Sequence, residues 1–204
     1  MRTDPRVEAT KARILDAALD AFVLDGYTGT STDAIAAAAA ASKQTVYKYF
    51  GDKEGLFRAI VTDLVGRVHG SIVRLDIDDY DDGEQVVRGL SRLLMDSILD
   101  RRVQRFRRLV IAEAARFPDL GRAYYEGAFE HTIGIMAELL AGAGTRGWLQ
   151  IDEPRLAANH LAGLLLWIPS NRMMMTGRLD TITDAELESV LEAGIRVFLA
   201  AYGR

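Results

Sequence analysis

The segment Ser42-Lys43-Gln44-Thr45-Val46-Tyr47-Lys48-Tyr49-Phe50 concentrates side chains with chemistry to offer. Val46 and Phe50 are four apart, so a helix here buries both on one stripe and turns Lys43, Gln44, Thr45, Tyr47 and Lys48 outward. A Gln amide matches the edge of adenine bidentately, and Thr presents a hydroxyl or a methyl to a base. Lys and Tyr suit phosphate oxygens, which position a protein on a duplex without reading its sequence. Lys53 adds a cation at the start of the next helix, where free backbone N–H groups already favour an anion. Taken singly, each residue fits an ordinary solvated face. Their ordered combination points to a nucleic-acid surface.

These residues need short helices joined tightly, and the flanking sequence supplies the signals. Val7, Ala9, Ile14, Leu15, Ala18, Leu19, Phe22 and Val23 recur at helical spacing, with Gly26 as a stop. Ser31 or Thr32 can cap a second helix through Ile35 and alanines 36–41, and Ser42 a third ending near Phe50. Gly51-Asp52 breaks the chain, and Asp52 caps a long helix carrying Leu56, Phe57, Ile60, Val61, Leu64, Val65 and Val68. Further helical patterns cover 84–99, 102–116, 119–142, 153–175 and 184–202, the last opening on the capping box Thr183-Asp184-Ala185-Glu186. No segment alternates like a strand with hairpin turns. The expectation is an all-α chain of about nine helices, divided into residues 1–51 and 52–204, with helix 52–75 linking the two.

Composition bounds the function. Hydrophobic residues make up 49% and charged residues 26% of 204, which describes a globular chain with a real core. No run is long and apolar enough for a membrane span, the N-terminus lacks a signal core, and the expected location is the cytoplasm. With no cysteine, disulfides, thiolate metal sites and thiol nucleophiles are excluded. The net charge is −4, but the first 58 residues carry eight positive and eight negative side chains. Binding to a polyanion must then rest on placed contacts and helix N-termini, with only a modest general pull.

Other candidate motifs fail on context. Asp76-Ile77-Asp78-Asp79-Tyr80-Asp81-Asp82-Gly83 puts Tyr80 and Gly89 where a calcium loop needs ligands, so it reads as a solvated linker. Gly142-Ala143-Gly144-Thr145-Arg146-Gly147 follows a helix instead of a strand, so no dinucleotide cofactor is expected. His69, His131 and His160 lack metal-ligand spacing, and no nucleophile–base–acid set stands out. No enzyme activity, metal or cofactor is expected. The basic window Arg101–Arg108 reads as a solvated helix face. Tyr124, Tyr125, Phe129, Trp148, Trp167 and the Met173-Met174-Met175 run suit either an apolar effector pocket or plain core. Pro169 should kink or end its helix.

Gly26-Tyr27, Thr30-Ser31-Thr32, Ile35-Ala36, Ala39, Ser42-Lys43-Gln44-Thr45-Val46-Tyr47, Tyr49-Phe50, Lys53-Glu54 and Leu56-Phe57 together resemble the N-terminal signature of the TetR family of regulators. The resemblance implies a helix-turn-helix domain, a linking fourth helix, and a helical domain for effector binding and dimerisation. It implies Thr32, Lys43, Gln44, Thr45, Tyr47, Lys48, Tyr49 and Lys53 as DNA contacts. Its implied partners are a palindromic double-stranded DNA operator, a second copy of the chain and a small-molecule effector. Arg108-Leu109-Val110-Ile111-Ala112-Glu113 and Arg116-Phe117-Pro118-Asp119-Leu120 more loosely resemble the AefR-like branch. By the same resemblance the last two helices pair as a four-helix bundle, which makes Leu161, Leu165, Leu187, Leu191 and Phe198 candidates for the dimer interface. One departure is local. The family has Gly-Val where this chain has Ala40-Ala41, so a left-handed turn at residue 40 would be strained.

Overall fold

The computed structural model describes residues 4–72, 75–176, 178 and 181–204, with side chains placed for all of these except 67–72; His69 lies outside the described side chains. Ten α-helices follow in order: α1 Pro5–Gly29, α2 Thr32–Ala38, α3 Lys43–Phe50, α4 Lys53–Ile72, α5 Gly83–Ile98, α6 Arg101–Glu113, α7 Pro118–Tyr124, α8 His131–Thr145, α9 Pro154–Thr176 and α10 Asp184–Tyr202. Among the described residues there is no strand, only an isolated bridge between Leu149 and Gly203.

Local chemistry sets the helix starts. Asp4, Ser31, Ser42, Asp82 and Thr183 each accept a backbone N–H from the first turn of the helix they precede. Asp52 does the same for α4, accepting from Gly55 at 2.7 Å. At Thr183 the bond is reciprocated by Glu186, completing the expected box. The expected helix over 119–142 is instead α7, a π-helical stretch Tyr125–Glu130, and α8. Pro169 neither ends nor breaks α9, which runs on to Thr176. Gly142 and Gly144 lie inside α8, so the glycine-rich segment is mostly helix and not a phosphate loop. The acidic segment is a short 3₁₀ turn, Ile77–Asp79, to which Arg146 bonds through the Ile77 carbonyl and the Asp78 carboxylate.

The chain divides into two compact units, Met1–Leu64 with Arg105–Ala128, and Val65–Gln104 with Phe129–Arg204. The first unit thus takes in α4 as far as Leu64, α6 from Arg105 onward, and α7. The reason is a cluster of rings. Phe57 of α4 lies 4.9 Å from Phe106 of α6, 5.8 Å from Tyr27 and 6.3 Å from Phe22 (ring centroids). Tyr27 also meets Phe117 edge-on at 4.9 Å. Phe22, Phe57 and Phe106 are fully buried, so the first three helices have no complete core without α4 and α6.

The second unit buries mainly aliphatic side chains: Val86, Val87, Leu90 and Leu94 of α5, Met136 and Leu140 of α8, Leu161 and Leu165 of α9, and Leu191, Ile195 and Phe198 of α10. Leu161, Leu165, Leu191 and Phe198 are at most 3% exposed inside this core. Within the single chain these four side chains serve its own core. Leu187 is half-buried against the same cluster.

Candidate nucleic-acid interface

The turn between α2 and α3 decides how the second helix is presented. The Ala41 N–H bonds to the Ala36 carbonyl and the Ala40 N–H to the Ala37 carbonyl, at 2.9 and 3.1 Å. That pair of bonds is the Schellman motif, which requires a left-handed residue between cap and exit. Ala40 fills that position with φ 48°, alone among the described non-glycine residues in having positive φ. The strain expected from Ala40-Ala41 is therefore present. Ser42 then caps α3 at once, its hydroxyl accepting from the Thr45 N–H at 3.0 Å and pairing with the Thr45 hydroxyl at 2.8 Å.

On α3, Val46 is 2% exposed and faces the core, while Phe50 is half-buried. Lys43, Gln44, Tyr47 and Lys48 are exposed; Thr45 and Tyr49 are half-buried. The Tyr47 hydroxyl lies 3.3 Å from the Thr32 hydroxyl, so the first residue of α2 and the middle of α3 form one polar pair. A phosphate oxygen arriving there can accept from both. Lys48 sits 5.7 Å from the centre of the Tyr49 ring. Lys53 lies 4.6 Å over the Tyr27 ring and donates to the Thr28 carbonyl at 3.4 Å. Burial lowers its pKa, and the Glu113 carboxylate opposes that shift.

Two participants escape a reading of the sequence alone. Asp33 holds the Lys43 ammonium at 2.8 Å, and the hydrogen bond between them raises the lysine pKa. Lys11 of α1 lies 5.8 Å from the Tyr49 ring, opposite in sequence to its neighbour Lys48. Spacing gives no hint of either. The confinement of all four lysines to the first 53 residues is the signal that includes Lys11.

The effector candidates are scattered. In the first unit Tyr124 packs 6.0 Å from Phe106, with burial raising its pKa, while Tyr125 is 53% exposed. In the second, Phe129 and Trp167 are exposed, Met174 is half-buried, and Trp148 packs on the core beneath the Arg146 guanidinium. A shallow groove of about 440 Å³ in that unit, between α5 and α10, is lined by Arg92, Met95, Asp96, Leu187 and Glu188 among others, and by none of these. His160 Nδ1 lies 2.6 Å from the Tyr202 hydroxyl, a structural contact between α9 and α10.

Two short capped helices meeting at a Schellman turn, the second with one buried and four exposed positions, define a helix-turn-helix protein. Residues 14–60 match the profile of the bacterial regulatory proteins of the tetR family, and residues 85–204 that of the AefR-like transcriptional repressor C-terminal domain. The chain belongs to the TetR family of transcriptional regulators. A TetR-family regulator structure from Mesorhizobium loti is 40% identical, covers 98% of this chain and 100% of its own, and superposes with a TM-score of 0.86. The flavonoid-responsive regulator FrrA is 30% identical over 95% of this chain and 97% of its own, with a TM-score of 0.77. The HTH-type transcriptional repressor SCO4008 of Streptomyces coelicolor is 48% identical over 54 residues, 26% of this chain and 28% of the repressor. The repressor NicS of Pseudomonas putida is 30% identical over 91 residues, 45% of this chain and 42% of that protein. The chain thus matches less than half the length of either repressor. Among the described residues no helix is long and apolar enough to cross a membrane.

Proposed function

We propose that the chain represses transcription in the cytoplasm, binding a palindromic operator as a homodimer and releasing it when a small molecule occupies the second unit. The observation that supports this most is the division of α3, with Val46 buried and Lys43, Gln44, Tyr47 and Lys48 exposed on the opposite face. In this reading Gln44 and Thr45 address base edges, and Thr32, Lys43, Tyr47, Lys48, Tyr49 and Lys53 address the backbone. Ser42 holds the Thr45 hydroxyl, so the Thr45 methyl is the part best placed to meet a thymine. Dimerisation is supported by an exposed stripe on α9, where Leu156 and Trp167 (45% and 73% exposed) recur on one face. Val197 of α10 is exposed as well. The responsiveness of FrrA supports a small-molecule effector for this chain.

Selection of bound duplexes from a random pool tests the reading. The expected product is a palindrome with half-sites about one helical turn apart. Tyr47→Phe and Lys53→Ala then weaken binding to every sequence alike, whereas Gln44→Ala changes which base is preferred. A selection that returns no common motif would remove the function.

A further inference from the structure

Glu113 ends α6 and lies 86 positions from Tyr27, yet its Oε1 accepts the Tyr27 backbone N–H at 3.1 Å. The approach depends on Gly26. With φ 72° it takes a backbone conformation that side chains resist, and a Cβ there would stand 3.2 Å from the same oxygen. The carboxylate thereby caps the short turn from Gly26 to Gly29, which carries Tyr27 and Thr28. Those two residues are the supports of Lys53, one through its ring and the other through its carbonyl. An ammonium has three donors; Thr28 takes one, and others remain for phosphate. The C-terminus of α6 is a poor place for a carboxylate on electrostatic grounds, since the helix dipole already puts negative character there. Its partner explains it.

We propose that Glu113 is a positioning residue for operator binding, holding the turn that aims the Lys53 ammonium at a DNA phosphate. The proposal rests on Lys53 being a phosphate contact. It makes the end of α6 a part of the DNA-binding apparatus, so that withdrawing Glu113 from Tyr27 costs the Lys53 contact while leaving α3 intact. Glu113 also acts on the Lys53 ammonium through its charge, which opposes the lowering of the lysine pKa by burial, and substitutions separate that charge from reach. Gln at 113 keeps an oxygen of the same length for the Tyr27 N–H; Asp keeps the charge and loses the reach.

The test is operator binding by the full-length protein across a salt series, using the duplex selected above and an unrelated duplex of equal length. Glu113→Ala and Glu113→Asp are expected to weaken binding to both duplexes about tenfold and to reduce the salt slope by about one. Glu113→Gln should stay close to wild type. Combined with Lys53→Ala, neither Glu113→Ala nor Glu113→Asp should weaken binding further. Glu113→Asp carries the same expectation if the alanine variant does not fold. A wild-type salt slope in Glu113→Asp, or losses that add to those of Lys53→Ala, overturns the proposal. If Lys53→Ala itself leaves affinity and slope unchanged, the phosphate reading of Lys53 has failed, and the proposal fails with it.

Discussion

The two units hold themselves together with different side chains. The first joins Phe22, Tyr27, Phe57, Phe106, Phe117 and Tyr124 through ring contacts at 4.9 to 6.3 Å. In the second, Phe198 is the one aromatic ring among the described fully buried residues of a mainly aliphatic cluster, with Tyr202 stacked on it at 4.6 Å and Tyr80 and Trp148 packed at the edge. Ring pairs prefer particular offsets and tilts, so an aromatic cluster fixes the angles between helices as well as their spacing. Aliphatic cores tolerate substitution as long as volume and pattern are kept. The contrast fits the proposed reading, in which the first unit aims α3 and Lys53 at a rigid duplex while the second admits an effector and pairs with a second copy.

Four substitutions set these units against each other. Phe57→Ala removes the hub of the ring cluster and should destabilise the protein by about 3–5 kcal/mol in urea denaturation, abolishing operator binding at working temperature. Leu161→Met in the aliphatic core should cost less than about 1.5 kcal/mol and leave binding unchanged. Equal costs at the two sites would erase the distinction. Ala40→Gly relieves about 1–2 kcal/mol of left-handed strain but returns about 0.4–1 kcal/mol of chain entropy to the unfolded state. A net gain near 0.5 kcal/mol, about 1–2 °C in melting temperature, is expected; no change would mean the turn relaxes without help.

The smallest effect is confined to acid and to the second unit. The Glu186 carboxylate is held from its ordinary 4.5 down to about 2, first by the Thr183 backbone N–H and then by Arg172. A depressed folded-state pKa stabilises the fold above the unfolded value, and the stabilisation is lost as pH falls through the folded one. Glu186→Gln should therefore flatten the fall in the urea midpoint between pH 4.5 and about 2 and change little near neutrality. A fall of unchanged steepness would assign the acid sensitivity to other groups.

What could be read from the sequence was local. Ser42, Asp52 and Thr183 were recognisable as caps because a cap bonds within three residues of itself. The outward set of α3 followed from the spacing of Val46 and Phe50, and the strain at Ala40 from the Gly-Val that the family has at that turn. The extent of the first unit did not follow, because it depends on Phe57 meeting Phe106 and on Tyr27 meeting Glu113 across 86 positions. The role of Leu161 and Leu191 was not legible for another reason. A wide apolar stripe says that a helix is covered, and the same pattern serves a chain's own core or a second copy. The π-helical stretch after Tyr124 was hidden because one extra residue in a turn leaves helical periodicity almost intact.

The ion pair between Asp33 and Lys43 bears on how the protein finds its site. In the proposed reading Lys43 exchanges a carboxylate for a phosphate on reaching DNA, and residues 1–58 carry as many acids as bases. General attraction to DNA pays little for that exchange on sequences where Gln44 and Thr45 find no match. Contacts with unrelated DNA should accordingly be brief, and travel between sites should favour release and recapture over long one-dimensional sliding. A regulator built this way relies on returning often, and its speed of search should depend less on salt than that of a strongly basic one.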